Sequence, residues 1–235
     1  MILASAMVIL TGCAATQTAL EHRTLQVSTQ LSDTLFLEPV SNAQKTVFVS
    51  VKNTSDEVIT ITPQLKKALS NEGYRVVNQP ILAHYLLQAN IRKVGKMSVA
   101  ASKSSLGGGY GSAIAGGVVG TAAGTLTNHT SGIIAGGMVG GVIGLAADSL
   151  VKAVNYTMIT DVQISERTSK TINEQFNATL KNGSASDIVQ TSNTNSHYKR
   201  YRTRIVSSAD KVNLKFAKAR PALEQDLVKA IAGIF

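Results

Sequence analysis

Residues 155–166 read Asn155-Tyr156-Thr157-Met158-Ile159-Thr160-Asp161-Val162-Gln163-Ile164-Ser165-Glu166. Tyr156, Met158, Thr160, Val162 and Ile164 recur at every second position. That is the period at which an extended chain sends side chains to one face, so the stretch predicts a strand. The flanks repeat the pattern. Residues 45–52, with Val47, Val49 and Val51, predict a second strand, ended by the turn-forming Asn53-Thr54-Ser55-Asp56. Shorter strands are expected at 25–30, at 34–38 before Pro39, and at 75–78, 85–94, 187–190 and 201–206. Two helices are expected. Thr62-Pro63 opens one with proline in its first turn, Leu65, Ala68 and Leu69 form its apolar face, and Gly73 stops it. The other covers 221–234, with Leu223, Leu227, Ala230 and Ile231 inward. Many strands and few helices predict an α+β domain on a mixed sheet. Its halves, 13–105 and 152–235, have too little core apart and are expected to fold together.

Between the halves lies a different composition. Residues 106–147 contain no Lys, Arg, Asp or Glu and hold 14 of the 19 glycines. The polar break Asn128-His129-Thr130-Ser131 divides two arms, 109–127 and 132–151. As a helix each arm would be about 28–30 Å long, the thickness of a bilayer's hydrocarbon core. Gly116, Gly120 and Gly124 recur every fourth residue, as do Gly132, Gly136, Gly140 and Gly144. Such rows lie on one helical face and let helix backbones approach closely in lipid. Residues 106–151 therefore predict a Gly-rich transmembrane helical hairpin with an exposed loop at 128–131. Small residues on two faces of each arm predict neighbours on both sides, hence a homo-oligomer.

The first ten residues are almost wholly apolar and lead into Leu10-Thr11-Gly12-Cys13. This resembles the lipobox of bacterial lipoproteins, in which a peptidase cuts before the cysteine and that cysteine carries lipid. Residues 1–12 are then a signal peptide and Cys13 the lipidation site. Ala14-Ala15-Thr16-Gln17 puts no acidic residue next to Cys13, which resembles an outer-membrane address.

Charged residues are only 16% of the 235, against about 25% in a typical soluble protein. The single cysteine excludes an intrachain disulfide. His22, His84, His129 and His197 have no metal-ligand spacing, and no metal site is expected. No nucleophile motif or complete phosphate loop occurs, so neither an enzyme nor a cofactor is expected, only covalent lipid on Cys13. The net charge is +9, and one basic cluster stands out, His197-Tyr198-Lys199-Arg200-Tyr201-Arg202-Thr203-Arg204. On a strand, Lys199, Tyr201 and Thr203 face one way and Arg200, Arg202 and Arg204 the other. That suits a solvated sheet face or subunit salt bridges. Anionic lipid headgroups remain an alternative, and nucleic acid does not fit a lipoprotein.

Several stretches resemble one family. They are the lipobox, residues 154–167, Lys211-Val212-Asn213-Leu214-Lys215-Phe216, Leu37-Glu38-Pro39, Lys52-Asn53-Thr54-Ser55-Asp56, and the Gly-rich arms before Ala146-Ala147-Asp148. The family is TraT of conjugative plasmids, and the likeness spans essentially the whole mature chain. It implies an oligomeric outer-membrane lipoprotein that mediates surface exclusion, blocking entry of a related plasmid, and is linked to complement resistance. The implied partners are membrane lipid, further copies of the chain, the donor cell's mating apparatus and complement components. An alternative is a membrane pore or secretion-channel component, built from a ring of the Gly-rich hairpins.

Overall fold

The computed structural model describes residues 22–114, 152–182 and 186–235, with the backbone alone for 173–195. In chain order its elements are β1 (Gln26–Leu31), β2 (Thr46–Asn53), α1 (Thr62–Asn71), β3 (Arg75–Val77), β4 (Tyr85–Lys96), α2 (Val99–Gly107), β5 (Ala153–Asn182), β6 (Ser186–Val212) and α3 (Phe216–Ala232). One 3-10 turn, Pro80–Leu82, precedes β4. The strands form one six-stranded sheet in the order β1-β6-β5-β4-β2-β3. β2 runs parallel to β3 and β4, while β4, β5, β6 and β1 pair antiparallel. β5 and β6, which follow the Gly-rich stretch, lie between β1 and β4, which precede it, so the two halves share one sheet.

The period-two pattern sets the layers. Tyr85, Leu87, Ile91, Met158, Val162, Ile164 and Ile205 face one side and are fully buried. Leu65 and Leu69 of α1, with Leu223, Leu227 and Ile231 of α3, complete that core. α1 ends as its residues dictate: Gly73 adopts φ +87, and Tyr74 N–H donates to Leu69 O at 3.0 Å. This left-handed exit favours glycine. Gly73→Ala is expected to destabilise the fold by about 1–2 kcal/mol, the cost of a Cβ in that region. A urea midpoint equal to that of the parent would contradict it.

On the sheet's other side a smaller cluster of Met97, Ile159 and Val206 is covered by α2 and by Ile114. The short α2 was not expected from sequence. Ser98 caps it, accepting Ala101 N–H, and the Ser102 hydroxyl meets that of Thr157 at 2.7 Å.

Three expectations need correction. The transmembrane helical hairpin at 106–151 is overturned. The helices have 10, 9 and 17 residues, and none among the described residues is long and apolar enough to cross a membrane. At the start of that stretch α2 ends at Gly107, and Gly109 and Gly111 at φ +68 and +76 turn the chain. Ile114 then packs on protein rather than facing lipid. Residues 115–151 lie outside the described residues. The pore built from a ring of such hairpins loses its basis with them.

The strand expected at 34–38 is a loop. That segment crosses the end of the sheet from β1 towards β2, so it meets no ladder partner; Leu37 packs on the core while Phe36 stays 81% exposed. The strands expected at 187–190 and 201–206 are parts of one strand, β6. β5 is likewise far longer than its apolar run. It pairs with β6 from Ala153↔Val212 to Asn182↔Ser186, with a register shift between Arg167 and Ile172. β4 starts opposite Glu166 and β1 ends opposite Ile205, so beyond them only the two long strands continue. Residues 167–182 would extend roughly 50 Å at strand rise.

Candidate functional site

The end of α2 and the first residues of the Gly-rich stretch are held to the middle of the sheet by a buried ion pair. Strand alternation sends Asp161 to the α2 side, opposite to Thr160 and Val162. Arg204 of β6 is its direct cross-strand neighbour. Arg204 is 0% exposed and Asp161 6%. The guanidinium grips the carboxylate with two bonds, Nε to Oδ1 at 2.7 Å and Nη2 to Oδ2 at 3.1 Å. Its other donors reach Ser105 O at 3.1 Å, Ser112 Oγ at 2.6 Å and Ser112 O at 2.9 Å. All five donor positions of the arginine are thereby used. Asp161 also accepts Arg92 Nη1 at 2.8 Å and Gly111 N–H at 3.1 Å. Gly111's positive φ belongs to the turn that presents that N–H. The clamp therefore ties α2, the 108–112 turn and three strands to one carboxylate.

A second cluster marks where the long β5–β6 ribbon leaves the sheet. Lys199 Nζ donates to Glu38 Oε1 at 2.7 Å, and Tyr201 Oη donates to Glu166 Oε2 at 2.9 Å. His84 Nε2 lies 3.8 Å from Glu166 Oε1, too far for a hydrogen bond. Arg167 donates to Ile81 O at 2.9 Å and lies over the Tyr198 ring. The hydrogen bond from Lys199, then its charge, holds the Glu38 carboxyl below its usual range. The Lys199 ammonium is pushed up, chiefly by the bond to Glu38.

Burial, and next the Glu166 charge, raises the Tyr74 and Tyr85 phenols; burial is also the largest cause for Tyr201. A phenol raised in the folded state favours folding below its unfolded value of about 10 and loses that advantage as pH rises further. Alkaline unfolding above about pH 10 is therefore expected, with three of the six tyrosines ionising only as the fold opens. Phenolate absorbance followed alongside circular dichroism checks this. Full ionisation before any loss of structure would refute it.

The basic run divides between faces as its spacing predicts, but not all of it is solvated. Arg202 donates to Gln163 at 2.8 Å and sits over the Tyr110 ring, whereas Arg204 is wholly enclosed. Sequence reasoning missed this clamp. The available sign was Asp161, the one charged residue within 153–165. Cys13, Gly116, Gly120, Gly124, Gly132, Gly136, Gly140 and Gly144, and the loop Asn128, His129, Thr130 and Ser131, lie outside the described residues. Among the described residues no group of three His, Cys, Asp or Glu side chains could hold a metal.

Neither cluster has the arrangement of a catalytic site, so relatives bear more directly on function. Residues 24–235 match the family described as Enterobacterial TraT complement resistance protein. A TraT complement resistance protein of Escherichia coli is 43% identical over 232 residues, covering 98% of this chain and 94% of the relative. The chain belongs to the TraT family. The resemblance read from residues 154–167 and 211–216 therefore holds. TraT of Escherichia coli strain K12 is 42% identical over 234 residues, covering 99% of this chain and 95% of its own. A TraT complement resistance protein of Wigglesworthia glossinidia brevipalpis is 27% identical over 231 residues, covering 96% and 91%.

Proposed function

We propose that this chain is a lipid-anchored, oligomeric outer-membrane protein that confers complement resistance and excludes related plasmids, acting by contact rather than by chemistry. The observation that carries this reading is the match to TraT complement resistance proteins across residues 24–235. The address rests on Leu10-Thr11-Gly12-Cys13 and on Ala14-Ala15-Thr16-Gln17, which puts no acidic residue next to Cys13. Surface exclusion rests on the resemblance drawn from sequence. Partners under this reading are membrane lipid, copies of the chain, complement components and a donor's mating apparatus. The ion pairs at the ribbon's base and the clamp hold a surface in shape.

Cells expressing the protein are expected to survive serum better than matched controls and to receive a related plasmid less often. Survival and transfer counts at confirmed expression test the two activities separately. Unchanged survival removes complement resistance, and unchanged transfer from several related donors removes exclusion.

A further inference from the structure

α2 covers only part of its side of the sheet. It lies over Ile159 and Val206, and the turn after it closes over Arg204. Towards the ribbon, no helix among the described residues lies on that side. Register sets two rows of side chains there, running across β2, β4, β5 and β6. Ser50, Gln88, Gln163 and Arg202 are successive cross-strand neighbours, and so are Lys52, Asn90, Asp161 and Arg204. Four strands at ordinary spacing make a face roughly 14 Å wide. Gln88 and Lys52 are exposed, and Ser50, Asn90, Gln163 and Arg202 are half-buried.

The first row is a chain of polar groups. Arg202 Nε donates to Gln163 Oε1 at 2.8 Å, and Gln163 Nε2 donates to Gln88 Oε1 at 3.1 Å. In the second row, Asn90 Oδ1 accepts from Thr54 Oγ1 at 3.2 Å. Amides held in this way are preorganised donors and acceptors, which suits the hydroxyl groups of a sugar. Tyr110, 41% exposed, borders the face with Arg202 over its ring.

The face is also cationic. Lys52, Arg92, Lys93, Arg200, Arg202 and Arg204 belong to it, and its strand positions include one acid, Asp161. Even with Asp33, Asp56 and Glu57 of the bordering loops counted in, the six basic groups outnumber four acids. A protein segment fits this face poorly. The two rows hold no apolar side chain for a helix to cover, and all four strands beneath them are paired on both sides, so no strand can be added.

We infer that this face binds a phosphate-bearing glycan, with Lys52 and Arg202 supplying the charge and Gln88 and Gln163 meeting sugar hydroxyls. The chemical class follows from the face. Its source, a phosphorylated glycolipid of the outer membrane, rests on the address given under the proposed function.

The test uses the full chain extracted from membranes in detergent. The probes are the phosphorylated core oligosaccharide of lipopolysaccharide and the same oligosaccharide stripped of its phosphates. Calorimetric titration is expected to show binding of the first that weakens with added salt, and about tenfold weaker binding, or less, of the second. Lys52→Glu and Arg202→Gln should each weaken binding by about tenfold, the loss of one charge-assisted bond. Lys67→Glu makes the same charge change on exposed α1, across the sheet, and should leave binding unchanged. An unshifted urea midpoint for Lys52→Glu separates loss of the ligand from loss of the fold. No binding by the parent, equal binding of both probes, or an equal loss in Lys67→Glu would overturn the inference. A parent that binds the phosphorylated probe but fractionates away from the outer membrane would overturn the address and the source, and leave the glycan-binding face standing.

Discussion

Arg204→Met is expected to destabilise the protein by about 3–5 kcal/mol, because it leaves the carboxylate of a buried ion pair without its main partner. The site offers little relief. Asp161 is 6% exposed, and its remaining cation, Arg92, is 32% exposed and supplies one hydrogen bond. Ser105 O and the Ser112 oxygens lose their donors at the same time. Asp161→Leu should cost as much, since it strands a guanidinium with no route to water. The double variant should lose clearly less than the sum, because replacing both partners removes the uncompensated charge. Urea denaturation of the three variants completes the cycle. Additive losses, or an Arg204→Met loss below about 1 kcal/mol, the range of a surface pair, would show that the clamp is not the anchor described.

Cys13→Ser is expected to abolish lipidation completely, since only the thiol sulfur can carry a thioether-linked lipid and the chain has no second cysteine. Labelling of the parent with palmitate and loss of all label in the variant is the expected result. A variant labelled as strongly as the parent would refute the lipobox reading. Loss of the anchor should also move the protein from the membrane fraction to the soluble fraction. Each buried methylene contributes about 0.8 kcal/mol, so two or more acyl chains hold far more firmly than the rest of this polar surface. Serum survival should fall with it if contact at the membrane is what protects.

The local patterns were sound where one face decided the outcome. Alternation at 45–52, 85–94 and 155–166 specified β2, β4 and nearly the first half of β5, because a half-buried strand must place its apolar side chains two apart. Thr62-Pro63 and Gly73 bracketed α1 for reasons internal to the backbone. Family membership was legible too, because it is carried by the order of residues along nearly the whole chain.

The long strands were not legible. Beyond Arg167 the sequence turns to Thr, Ser, Asn and Gln, with no apolar face to show its period. Pairing between β5 and β6, a contact between distant residues, makes it a strand. The Gly-rich stretch misled for a related reason. Its composition suits lipid, yet where it begins, Gly109 and Gly111 are turn residues and Ile114 packs, half-buried, on a small protein cluster.

By itself, then, the sequence determined the faces of the core strands, the bounds of α1 and the family. The tertiary structure decided the burial of Arg204, since a strand's period says which face a side chain takes but not what covers that face. It also decided that β1 and β3 are the outer strands. Edge position depends on the order of all six strands, which no local stretch encodes.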